Sequence, residues 1–243
     1  MFEVNLKFES KWDAQATLQE LSSSEGKMRA VFQQELSEVQ TRLVDLAKAA
    51  RTIMQKASTA FLTSDVSLAD EALALTDANE ERALDLDELV IKILATQSPV
   101  ARDLRILVSA LRMSASIERM GSLASHIAAI ARYRYPGSAI PDSLRPTFEE
   151  MARLNLKLAD KSIILLQDTD VDLAREIQAE DEAVDLLHRK VFDIVLGPDW
   201  SENAMFTVDV TLASRYFERF ADHVVDISAK VSFLQTGDWQ ELS

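Results

Sequence analysis

The chain has 243 residues, 47% of them hydrophobic and 27% charged, with a formal net charge of −14 and no cysteine. That is enough apolar material for one or two packed domains, and it excludes the profile of disorder, disulfides and thiolate metal sites. The acidic balance argues against nucleic-acid binding, which needs a basic footprint, and favours cations or basic surfaces on partners.

Residues 1–27 differ from the rest. Phe2, Val4, Leu6 and Phe8 alternate with polar residues, a short strand pattern, and Ser22-Ser23-Ser24-Glu25-Gly26 has linker composition. The expectation is a poorly ordered leader, with an extra edge strand or a docking peptide as the alternative. There is no basic region followed by an apolar core, and no apolar run reaches the ~18 residues of a membrane span. The expected location is therefore cytoplasmic.

From Met28 the period is helical. Val31, Leu36, Val39, Leu43, Leu46, Ile53 and Ala57 predict a helix to about Thr63. Ser64-Asp65 supplies cap chemistry for a second, from about Val66 to Ala95. Ser98-Pro99 opens a third, which stops at Tyr135-Pro136-Gly137. Three prolines between 136 and 146 mark the clearest boundary, and then the plan repeats. Helices are expected from about Leu144 to Leu166, from Asp170 to Leu196, and from Glu202 to Leu234. The predicted fold is all-α: a tandem pair of antiparallel three-helix bundles, at 28–136 and 137–243, related by internal duplication.

The last helix carries the most informative stretch, Ser214–Ile227. Glu218, Asp222 and Asp226 fall four apart, in one row on a helix. Like charges at this spacing cost roughly 0.2–0.5 kcal/mol per pair, so water screens them, a base pairs with them or a cation sits on them. Glu118-Arg119-Met120-Gly121 repeats Glu218-Arg219-Phe220-Ala221 one hundred residues earlier, with Ser122 where the later copy has Asp222.

These marks, together with Met28-Arg29-x-x-Phe32-x-x-Glu35-Leu36, Gln97-Ser98-Pro99-Val100-Ala101-Arg102-Asp103-Leu104-Arg105 and Arg215-Tyr216-Phe217-Glu218-Arg219-Phe220-Ala221-Asp222-His223, resemble the PhoU family of phosphate-uptake regulators. The resemblance covers residues 28–236, and the third helix is most similar to the actinobacterial branch. It makes Met28 the expected natural start. It implies a tandem bundle fold, no enzyme activity, frequent homodimers and metal-binding carboxylates. It also implies negative regulation of the phosphate-starvation response by an adaptor between the phosphate ABC transporter and a sensor histidine kinase. The membrane is then reached only through partners. Carried over by position, the metal residues are Asp181, Asp185, Glu218 and Asp222 in the second copy. In the first copy only Glu80 and Glu118 remain, with Thr76 and Ser122 in place of acids.

Two i,i+4 acid pairs on neighbouring helices can converge, and four carboxylates in a small volume must share a cation or take up protons. Oxygen ligation suits Mg²⁺, Mn²⁺ or Ca²⁺; iron and zinc are also compatible, and His188 and His223 offer imidazoles nearby. Two other classes are weighed. A di-metal oxidase on a helical bundle wants Glu-x-x-His pairs, and only Asp185-x-x-His188 is present. A metal-free helical scaffold leaves the acids as a solvated face. No nucleophile–base set and no Gly-rich phosphate loop occurs, so neither catalysis nor tight phosphate binding is expected. Asp226 is expected on the solvated side, Arg119 and Arg219 in surface ion pairs, and Gly121 at a close helix approach.

Overall fold

The computed structural model describes residues 11–168 and 170–236. The described residues form six helices: α1 (Lys11–Thr63), α2 (Val66–Gln97), α3 (Ala101–Arg134), α4 (Arg145–Asp168), α5 (Val171–Val195) and α6 (Ala204–Thr236). No strand occurs among the described residues, and the alternation at residues 2–8 lies outside them. None of the described helices is long and apolar enough to cross a membrane. Residues to Glu38 and residues from Val39 fall into two compact units, and α2–α6 belong to the second.

Two local expectations are corrected. The first helix is already helical at Lys11 and runs through Ser22–Gly26 without a break. No proline interrupts it, serine costs only a few tenths of a kcal/mol in a helix, and the single glycine costs about 1 kcal/mol. Ser98 does not cap α3. It ends α2 in a left-handed conformation with φ of 46°, and Val100 starts α3 without a side-chain cap. Pro99 bars Ser98 from the right-handed helical region and so ends α2, while α3 starts only at Ala101, which puts Val100 and not Ser98 in the capping position. The other caps form as expected: Asp65 accepts from the amides of Ser67 and Leu68, and Asp170 from those of Asp172 and Leu173. Trp200 donates to the Thr207 hydroxyl at 2.9 Å and steadies the start of α6.

α2 packs on α3, α4 and α5 pack on α6, and α3 packs on α6. The segment of α1 from Val39 is held from several sides. Lys56 pairs with Glu71 of α2, and Arg51 with Asp160 of α4. Phe61 of α1 meets Phe148 of α4 edge-on at 5.2 Å between ring centroids, and Phe148 lies 6.1 Å from Phe217 of α6. All three rings are fully buried. α1, α4 and α6 therefore share one apolar core, and α6 is fixed along the row just beside its carboxylates.

Gly121 sits where α3 approaches α1 and α2. A Cβ there would lie 3.2 Å from Nδ2 of Asn79 and 3.5 Å from Ile53. The close-approach expectation holds. Gly121→Val is expected to lower the unfolding free energy by about 1–3 kcal/mol, as overpacking does, read from the denaturant midpoint. An unchanged midpoint would show that the helices can separate freely there.

Candidate metal centre

Asp181 and Asp185 lie one turn apart on α5; Glu218 and Asp222 lie one turn apart on α6. The two helices pack side by side, so the rows face each other. α5 is held from behind by α4: Lys161 binds Glu176 at 2.8 Å and Glu180 at 2.9 Å, and Lys157 binds Glu180 at 2.7 Å. One oxygen from each of Asp181, Asp185 and Asp222 lies within 4.8 Å of the other two. Glu218 stands beside this trio rather than in it. Its Oε1 pairs with Arg215 one turn earlier, while its Oε2 is buried with no partner. Asp181 Oδ1 is also buried and unpartnered. The four residues named from sequence are thus neighbours, three of them converging and the fourth turned to a cation of its own helix.

The electrostatics follow from this crowding. Burial, and then the charges of Asp185, Asp222 and Glu218, push the Asp181 carboxyl up to about 7. Burial and Asp222 raise Glu218, against the opposing pull of Arg215. Burial and Asp185 raise Asp222, with Arg215 and Arg219 opposing. A cluster that holds a proton for want of a cation exchanges that proton when a cation arrives. Oxygens bonded to one hard cation at about 2.1–2.6 Å stand about 3–5 Å from one another, which the trio already satisfies. With two buried unpartnered oxygens beside it, the donor set fits a divalent ion, held by Asp181, Asp185 and Asp222, with Glu218 available on release from Arg215.

One turn beyond Asp185, His188 Nδ1 lies 3.0 Å from the hydroxyl of Ser214, which itself sits one turn before Glu218. Burial and Arg215 lower the imidazole's proton affinity, and Asp185 opposes them. α5 and α6 therefore meet at two levels: Asp181 and Asp185 with Asp222, and one turn on His188 with Ser214, Glu218 lying between the two levels on α6.

The first half is corrected in register. Matching α2 to α5 by their capping aspartates puts Thr76 and Glu80 opposite Asp181 and Asp185. But α2 has 32 residues and α5 has 25, so their far ends then disagree by two turns. Counted from the C-terminal ends, which lead into α3 and α6, Asp87 and Asp185 hold the same place, as do Ala83 and Asp181. Thr76 turns its hydroxyl onto Ala72 O at 2.9 Å, within its own helix. Asp87 is the functional candidate that the sequence reading missed. Burial raises its carboxyl; the Ser114 hydroxyl opposes this but stops short of hydrogen-bond geometry, leaving that hydroxyl and Asp87 Oδ1 buried and unpartnered. Burial, Glu80 and Asp87 raise Glu118, so both earlier first-half residues keep their place near Asp87. Ser122 accepts a long 3.4 Å contact from Arg119. The register is set by the helix ends, Asp87 lying as far before Gln97 as Asp185 lies before Val195.

Asp226 keeps a side chain that is 46% exposed, as expected of the solvated side, but it has partners at the α3–α6 seam. It accepts from Ser116 of α3 and pairs with Lys230, which is only 7% exposed. Those partners lower its carboxyl against the effect of burial. It belongs to the α3–α6 seam and not to the trio.

The family model described as the PhoU domain matches the chain twice, over residues 43–131 and 148–231. The Mycobacterium tuberculosis protein named phosphate-specific transport system accessory protein PhoU homolog 2 is 38% identical over 210 residues, which is 86% of this chain and 99% of that one. The Mycobacterium leprae PhoU homolog 1 is 36% identical over 214 residues, 88% of this chain and 96% of that one. The crystal structure of the phosphate transport system regulatory protein PhoU from Streptococcus pneumoniae superposes with a TM-score of 0.78 at 20% identity. It covers 87% of this chain and all of that one, and shows the shared fold.

Proposed function

The chain belongs to the PhoU family, and from that premise we propose that it is a non-catalytic regulator of phosphate uptake with a cation centre in its second half. The observation that carries the reading is the double family match, which spans both halves and includes the α5–α6 carboxylates. In this reading the protein works in the cytoplasm by contact, as a homodimer. It links the phosphate ABC transporter to a sensor histidine kinase and represses the phosphate-starvation response. Asp181, Asp185 and Asp222 hold the ion, Glu218 joins them, and the ion cross-links α5 to α6 and so shapes the surface the two helices present. When bound, it supplies charge neutralisation and rigidity, with no step of bond making. The weaker first-half set is Glu80, Asp87 and Glu118.

The functional test is deletion in the source organism, with a phosphate-responsive promoter read at high phosphate. Constitutive expression is expected; unchanged repression would sink the adaptor reading. For the centre, Asp222→Ala is expected to remove most of the metal that co-purifies with the protein, and Ser122→Ala little of it. Equal metal content by elemental analysis would count against the asymmetry. A flat titration with Zn²⁺, Mn²⁺ and Mg²⁺ would support the metal-free scaffold instead.

A further inference from the structure

We propose that His188 is a nitrogen donor of the α5–α6 centre, held in its ligating tautomer by Ser214, and that it biases the centre toward zinc-type ions over Ca²⁺. The inference rests on the carboxylate centre proposed above.

The hydroxyl of Ser214 decides the tautomer of His188. The serine side chain is fully buried, and its oxygen lies 3.0 Å from Thr211 O, which can only accept, so its proton is assigned there. A serine has one O–H to donate, so toward His188 the same oxygen acts as an acceptor. The 3.0 Å contact from Nδ1 is then Nδ1–H donating to Ser214 Oγ. A neutral imidazole carries one N–H, so Nε2 is left with its lone pair. An imidazole whose second nitrogen donates to a fixed oxygen is the arrangement that orients metal-bound histidines and raises their basicity.

Placement agrees. His188 is three residues after Asp185, so the two share a face of α5. Ser214 is four before Glu218 on α6, so the His188–Ser214 contact lies one turn from both Asp185 and Glu218. The ring is packed edge-on against Phe192 at 5.0 Å, which restricts its rotation. The duplicate supplies a contrast within the same molecule. Counted from the helix ends, the residue of α2 in the place of His188 is Val90, which is fully buried. Ser114 stands in the place of Ser214 and faces the Asp87 carboxyl instead of an imidazole. The buried serine occurs in both halves, but only beside the complete carboxylate trio does it meet a histidine. The three oxygens that converge within 4.8 Å are all carboxylate oxygens; the imidazole belongs to the next level. It would therefore complete the shell of an ion displaced toward Asp185 and Glu218, or of a second ion.

A nitrogen donor favours zinc, iron and their neighbours over Ca²⁺, which takes oxygen. The test uses the full-length protein stripped of metal and titrated calorimetrically with Zn²⁺ and with Ca²⁺. His188→Gln is expected to weaken Zn²⁺ binding by about tenfold or more and to leave Ca²⁺ within about twofold; Ser214→Ala, which keeps the imidazole but frees its orientation, is expected to weaken Zn²⁺ by about tenfold. Long-range ¹⁵N–¹H spectra of the metal-free protein are expected to show the Nδ1–H tautomer at His188 and to lose that preference in Ser214→Ala. An Nε2–H tautomer would overturn the proposal, as would His188→Gln weakening both ions equally or neither. Asp222→Asn separates the two readings. If it abolishes binding of both ions while His188→Gln does nothing, the carboxylate centre stands and the imidazole has no part in it. If Asp222→Asn changes neither ion, the centre itself fails and the role of His188 with it.

Discussion

Asp181→Asn is expected to stabilise the metal-free protein above neutral pH and, in the same variant, to abolish stabilisation by divalent ions. The sign follows from linkage. The Asp181 carboxyl titrates at about 7 in the folded chain and near its ordinary value of 3.8 when unfolded. Between those values the folded state holds a proton that the unfolded state has lost. Its favourable contribution is complete below about 3.8 and is lost as pH rises through about 7. At pH 8 the carboxylate trio is a cluster of like charges that Arg215 and Arg219 offset only in part. Removing one charge should gain about 1–2 kcal/mol, once solvent screening of this half-buried group is allowed for. In a protein of this size that is a rise of roughly 2–8 °C in melting temperature, shrinking toward nothing near pH 4.

With metal the ranking reverses. An ion that binds only the folded state at about 100 times its dissociation constant adds about 2.7 kcal/mol to the wild type, and the variant lacks a ligand for it. Metal affinity of the wild type should also fall by up to about tenfold per pH unit below 7, because the ion displaces the shared proton. Thermal melts at pH 5 and pH 8, with and without Mn²⁺, read all of this. A variant less stable than wild type at pH 8 without metal would refute the charge-cluster account. A wild type indifferent to every ion tried would refute the centre.

Phe148→Ala should cost about 3–5 kcal/mol, the usual loss for a fully buried aromatic. Phe148 touches Phe61 of α1 and Phe217 of α6, so its removal weakens contacts that join helices from both halves of the duplication. The expected signature in urea is a lower midpoint in a single transition, with α-helical circular dichroism and tryptophan fluorescence changing together. A loss below about 1 kcal/mol, or two separate transitions in the wild type, would mean that the halves do not share one core. Phe217 adjoins Glu218 in sequence, so this core also holds the carboxylate row in place. Phe148→Ala should therefore weaken metal binding even though Phe148 contacts no ligand.

The helices were legible because their signals are local. Asp65 and Asp170 were read as caps and are caps; the breaks at Tyr135-Pro136-Gly137 and Gly197-Pro198 fall where the described helices stop. The pairing of Asp181 with Asp185 and of Glu218 with Asp222 follows from 3.6 residues per turn and needs no partner helix. The first-half register was misread because the N-caps of α2 and α5 look alike while the helices differ in length by two turns. Local signals carry no information about that difference until the far ends are compared. Ser98 was misread because α3 starts at Ala101, two residues past Pro99, so Val100 and not Ser98 holds the capping position.

The amino-acid sequence by itself determined six helices, a duplicated plan, the acid rows on α5 and α6 and their loss from part of the first half. Periodicity, capping and proline are properties of neighbouring residues. Only the tertiary structure decided which acids meet. It brings Asp181, Asp185 and Asp222 together, turns Glu218 to Arg215, draws Asp226 into the α3–α6 seam against Ser116 and Lys230, and gives His188 to Ser214. Charges and hydroxyls four residues apart are equivalent along one helix. They become different when a second helix, with its own length and its own charges, sets the partner opposite each of them.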